Sequence, residues 1–129
     1  MKFSFENLDV YQRAVAFNLA VDDLLSREGV SRTLADQFSR AALSIPLNIA
    51  EGNGRWHKGD KRQFFWIARG SVFECIPILE VMFVKNIISS QEREWTRAEL
   101  EVMGKMLTKL AQAHSDNKSP NVSLSPNIS

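Results

Sequence analysis

The sequence predicts an all-α protein, an antiparallel up-and-down four-helix bundle, and three observations carry that expectation. Apolar residues recur at helical spacing in four separate stretches, no stretch alternates with period two between turn residues, and the connections between stretches are short. The chain of 129 residues is long enough to bury a core without staples, and residues 1–114 are read as one domain.

The first stretch carries Val10, Ala14, Phe17, Val21 and Leu24, a 4-3-4-3 spacing that stacks one stripe on a helix. Asp9 is expected to cap it with Gln12 completing a capping box, and Gly29 suits a left-handed stop. The second runs from about Thr33 to Glu51 with Leu34, Phe38, Ala41, Ile45 and Ile49 on one face, stopping at Gly52. Pro46 lies inside it. Having no N–H to donate to Ala42, it predicts a bend rather than a break.

Asp60, with Gln63 three residues on, opens the third stretch, whose expected stripe is Phe64, Ala68, Ser71, Cys75, Ile78 and Met82. Reaching about Lys85, it would span roughly 39 Å at 1.5 Å per residue, with a kink expected at Pro77. The fourth begins near Ser89 or Ser90, or else at Thr96 with Glu99 as a capping box. It carries Val102, Met106, Leu110 and Ala113 and fades at His114. Residues 115–129, SDNKSPNVSLSPNIS, hold too few apolar groups to offset ordering entropy and are expected to form a disordered tail.

Composition narrows the function classes. The single cysteine, Cys75, permits no internal disulfide and fits a reducing compartment, with the cytoplasm as default. Glu6, Asn7 and Asp9 interrupt what a signal peptide would keep apolar. The longest apolar stretch, Val72 to Val84, contains Glu74 and Glu80 and falls short of the roughly 20 residues that span a bilayer, so no membrane is expected. A formal net charge of +1 neither favours nor disfavours a polyanionic partner.

Catalytic and metal patterns are missing from the sequence. Gly54 and Ala111 stand three residues before His57 and His114, where a di-iron bundle would place Glu. Cys75 sits on an apolar stripe, where a thiol is buried and inert. GNGRWHKG lacks the GK[ST] ending of a phosphate cradle and follows a helix rather than a strand. No enzyme, no metal and no cofactor is expected.

Two features remain. Ser44, Asn48 and Glu51, spaced 4 and 3, place polar groups beside the apolar face of the second helix, which spacing alone reads as a solvated flank. The run Arg55, Lys58, Lys61, Arg62 and Arg69 is countered by Asp60 and interleaved with Trp56, His57 and Trp66. Arg62, Trp66 and Arg69 lie at helical spacing, so two guanidinium groups could flank an indole and meet phosphate and an unpaired base. The other reading is a solvated turn with Trp66 packed in the bundle or at a subunit contact.

The blocks LADQFSRAALSIPLNIAEGNGR and KRQFFWIARGSVFECIPILE resemble the four-helix-bundle proteins encoded within intervening sequences of bacterial 23S rRNA genes. The matching positions are Leu34, Gln37, Ser44, Ile45, Asn48, Ile49, Ala50, Glu51, Gly52, Gly70, Ser71 and Glu74, and the opening FENLDVYQRA fits too. The likeness covers about residues 3 to 113. Phe38 departs from a commonly smaller residue, and Cys75 and Pro77 fall in a variable stretch.

Related bundle proteins are accessory factors of diversity-generating retroelements, homopentamers that engage nucleic acid and a reverse transcriptase. The resemblance therefore implies a cyclic homopentamer with RNA or DNA as ligand. It also implies an architectural role for Ser44, Asn48, Glu51, Gly52, Gly70, Ser71 and Glu74. Small Gly70 and Ser71 would bring helix three close to helix two, with Asn48 and Glu51 finding partners across the gap. The alternative is a protein adaptor, for example for a reverse transcriptase, whose basic segment only solvates a loop.

Overall fold

The computed structural model describes residues 3–114, so the expected disorder of residues 115–129 lies outside the described residues. Among the described residues there are four α-helices, one 3₁₀ turn over Ser4–Asn7 and no strand.

Helix α1 (Asp9–Leu25) buries Val10, Ala14, Phe17, Val21 and Leu24, the stripe its spacing predicts. Its start differs from expectation. The chain enters directly from the 3₁₀ turn, so Leu8 occupies the cap position without a side-chain bond. Gln12 donates through Nε2 to the Glu6 carbonyl at 2.9 Å instead of closing a capping box. Gly29 does adopt a left-handed φ of 91°, but within the connection, beyond the end of the helix.

Helix α2 (Arg32–Asn53) is capped by Ser31, whose Oγ accepts from the Leu34 N–H at 3.1 Å. It continues through Pro46. The Ala42 carbonyl, which residue 46 has no N–H to serve, accepts from Asn18 Nδ2 of α1 at 2.8 Å, and the same nitrogen donates to Ala14 O at 2.9 Å. Gly52 does not stop the helix as expected. It is buried inside the last turn, where an added Cβ would meet the Phe65 ring at 2.9 Å and Phe64 Cβ at 3.0 Å.

Helix α3 (Lys58–Val84) begins before Asp60, with His57 at the cap and no side-chain cap bond. It buries Phe65, Ala68, Ser71, Val72, Cys75, Leu79 and Met82. Phe64 and Ile78, expected inside, are half-buried, and their neighbours Phe65 and Leu79 take the core positions. Adjacent apolar residues offer two stripes that periodicity alone does not separate. Asn86 ends the helix with φ 62°, while Ile87 N–H bonds Met82 O and Asn86 N–H bonds Phe83 O, both at 2.9 Å. That pairing satisfies carbonyls of the last turn, with Asn in the position glycine usually holds.

Helix α4 (Ser90–Ala113) starts at the earlier of the expected sites. Ser89 and Glu92 form a reciprocal capping box, with bonds of 2.9 and 3.1 Å. Leu100, Met103, Gly104, Leu107 and Ala111 are buried. The expected stripe is thus displaced: Met106 and Leu110 are half-buried on its flank, and Val102 and Ala113 are exposed.

The helices share one apolar core. Packing is most extensive between α2 and α3 and between α3 and α4, and is thin between α1 and α4. Two ion pairs span that thin seam, Arg13 with Glu99 at 3.1 Å and Arg27 with Glu92. No helix among the described residues is long and apolar enough to cross a membrane.

Candidate nucleic-acid interface

The basic run begins where α2 turns into α3. Gly54 N–H bonds Ala50 O at 3.1 Å and Arg55 N–H bonds Gly52 O at 3.2 Å, which turns the chain sharply after the helix. Gly52 sets the approach, because only a residue without a side chain leaves room for Phe64 and Phe65 against it. Lys61 donates from Nζ to Asn53 O at 2.8 Å, satisfying a carbonyl at the end of α2. Asn53 in turn donates from Nδ2 to Ser4 Oγ at 2.7 Å, tying the 3₁₀ turn to this corner.

At the tip stand Arg55, Trp56, His57 and Lys58, all exposed. Trp56 is 91% exposed, the most open large apolar side chain among the described residues. Arg55 pairs with Glu51 at 2.7 Å and lies 4.6 Å from the Phe64 ring centre, so part of its charge is answered within the chain.

Farther along α3 the cations are engaged by α4. Arg62 donates from Nη1 to His114 O at 2.8 Å, and the His114 ring lies 5.5 Å from that of Phe65. Arg69 donates from Nε to Thr108 Oγ1 at 2.8 Å and sits over Phe73 at 4.3 Å and Trp66 at 5.5 Å. The helical spacing of Trp66 and Arg69 therefore does join indole and guanidinium, against α4. Burial lowers the Arg69 pKa, and its Nη2 is enclosed without a hydrogen-bond partner among the described residues. Thr108, whose Oγ1 also donates to Gly104 O at 2.9 Å, is a partner that inspection of the basic run alone does not reveal.

The polar stripe of α2 meets α3 through one bond, Ser71 Oγ to Ser44 Oγ at 2.7 Å. Asn48 and Glu51 do not reach across as expected. Asn48 Nδ2 donates to Ser44 O at 2.8 Å and Ser44 Oγ at 2.9 Å, and Glu51 pairs with Arg55 on its own helix. Gly70 is not the close-approach residue either: it is exposed, and a Cβ there would meet nothing within 4 Å. Gly52 has that role between α2 and α3. Glu74 is exposed, and its charge helps raise the pKa of the buried Cys75 thiol to about 12, burial being the larger cause.

Among the described residues no group of three or more His, Cys, Asp or Glu side chains could hold a metal ion. The arrangement defines a class: a small helical protein whose most open chemistry is an aromatic ring between cations at one helical corner. Residues 6–109 match the family model of the 23S rRNA-intervening sequence protein, and the chain belongs to that family. A crystal structure of a protein with unknown function from the S23 ribosomal protein family of Bacteroides thetaiotaomicron is similar, with a TM-score of 0.75. The two are 20% identical, over 80% of this chain and 98% of that one, a likeness of fold. No curated protein matches the chain significantly.

Proposed function

We propose that the chain is a homo-oligomeric, non-catalytic accessory protein that associates with nucleic acid through the α2–α3 corner. The observation that carries this reading is Trp56, almost wholly exposed between Arg55 and Lys58. Exposing an indole to water is unfavourable unless a partner covers it, and a base offers a flat face while adjacent cations meet phosphate. Lys61, Arg62, Trp66 and Arg69 support the same surface from behind. The Lys61 contact fixes the corner, Arg62 and Arg69 hold the neighbouring stretch of α3 against α4, and whatever charge they leave open adds to its field.

The oligomer in this reading is a cyclic homopentamer of antiparallel, up-and-down bundles in the cytoplasm. Contacts between the end of α2 and the start of α3, and between Arg62 and His114 at the start of α3 and end of α4, support the antiparallel order. Repetition around an axis would gather the corners of several nearly neutral chains into one basic surface. A second reading, an adaptor for a protein such as a reverse transcriptase, is favoured by the intramolecular engagement of Arg55, Lys61 and Arg69.

Fluorescence anisotropy of labelled single-stranded RNA and DNA decides between them. Trp56→Ala is expected to weaken binding by ~1–3 kcal/mol, the value of one stacked base, with the oligomer mass unchanged. Equal affinity of wild type and variant would reject the corner. No binding by the wild type would leave the adaptor reading.

A further inference from the structure

We propose that the outward face of α3 in one copy seats in the groove between α1 and α2 of the next copy. This contact rests on the homo-oligomer reading above and names its two surfaces.

The outward face of α3 is exposed along its length, with Pro77 and Val81 beside the first turns of α2. Ile67, Gly70, Glu74, Pro77, Val81 and Val84 follow at spacings of 3, 4, 3, 4 and 3, one stripe of the helix, and all six are exposed. The stripe points away from the core, between Ser71, which bonds Ser44 of α2, and Phe73, which lies against Gly104 of α4. Gly70 is the telling residue. Glycine inside a helix is unfavourable relative to alanine, and here a Cβ would meet nothing within 4 Å, so no packing in the protomer accounts for it. A neighbour approaching the backbone closely would.

The receiving surface is a groove of about 570 Å³ between α1 and α2. Val15 of α1 and Leu43 and Leu47 of α2 line it, all exposed, Leu47 by 58%. An apolar groove open along two helices is a partner site more often than a bare surface. The stripe ends at Val84 and exposed Lys85, and the groove ends at exposed Asp22, so the same seat pairs opposite charges.

The two surfaces lie on different helices and do not overlap, so each copy can use both at once. Such a contact is heterologous and repeats from copy to copy until it closes. It also leaves the Trp56 corner uncovered.

Four exposed-site variants, two on each surface, test the contact by light scattering. Leu47→Glu charges the groove, Gly70→Arg blocks the stripe, and Leu43→Lys and Val81→Glu repeat each test at a second position; far-UV circular dichroism checks that each remains helical. Each variant alone is expected to fall to one protomer mass. An equal mixture of a groove variant and a stripe variant is expected to form a two-protomer species, because one intact groove then meets one intact stripe. Variants that keep the wild-type mass, or a mixture that stays monomeric, would overturn the contact while leaving the oligomer itself standing. A monomeric wild type would overturn both.

Discussion

Phe38, fully buried and edge-on to Phe17 at 6.3 Å between ring centres, joins α2 to α1 in the core. Phe38→Ala is expected to cost about 3–5 kcal/mol, read from the urea midpoint, as large-to-small core changes do. The adjacent phenylalanines of α3 separate by the same measurement: Phe65→Ala should cost more than Phe64→Ala, since Phe65 alone is enclosed. Gly52→Ala would drive a Cβ into the Phe65 ring and is expected to destabilise by about 1–3 kcal/mol. Cys75, its thiol pushed up to about 12 by burial, should resist a thiol reagent at pH 8 until denaturant is added. Modification of the native protein at the denatured rate would contradict its enclosure.

At the scale of elements, Asn18 explains how α2 passes through a proline. Asn18→Ala would strand the Ala42 carbonyl and is expected to cost about 1–3 kcal/mol. In a Pro46→Ala background the helix regains its own N–H for that carbonyl, so the cost should shrink; equal costs would show that the bond does not compensate the proline. The start of α4 carries a pH signature. The Ser89 backbone N–H, then Arg27, holds the Glu92 carboxyl below its ordinary pKa. A depressed carboxylate stabilises above its unfolded pKa and loses that contribution as pH falls through the folded one. The stability deficit of Glu92→Gln should therefore be present at pH 7 and fade in acid.

These elements also show what was legible in the sequence. The α1 stripe was readable because each of its positions adjoins a polar residue, Asp9, Arg13, Asn18, Asp22 or Asp23. The α3 stripe was readable at Ala68, Ser71, Cys75 and Met82, but its other positions and the α4 stripe were not, because pairs such as Phe64 and Phe65, Ile78 and Leu79, and Met106 and Leu107 offer two registers that only packing distinguishes. Gly52 reads as a stop in the sequence because a glycine needed for close packing and one ending a helix look alike in one dimension. Asn18 carried no signal, as its partner is a carbonyl freed by a proline 28 residues away.

For the whole molecule, the basic run was visible in the sequence, but its division into an open corner and a packed stretch was not. Nothing in the order of residues says that Thr108 and His114 claim Arg69 and Arg62. Reversing charge at Arg69 is consequently expected to lower stability, by stranding Thr108 and placing a carboxylate against Phe73, which makes it a poor probe of binding. Residues 115–129, expected to be dispensable, should be removable without change in helicity or oligomer mass. The most direct test of nucleic-acid association is the salt dependence of affinity for a short single-stranded oligonucleotide, comparing wild type with Lys58→Glu at equal oligomer mass. Neutralising a phosphate releases counterions, so the wild type should show a log Kd that rises steeply with log salt, and Lys58→Glu a shallower slope, by roughly 0.7 for each phosphate it no longer neutralises. A wild-type affinity that does not change with salt, or one that Lys58→Glu leaves untouched, would contradict nucleic-acid association through this corner.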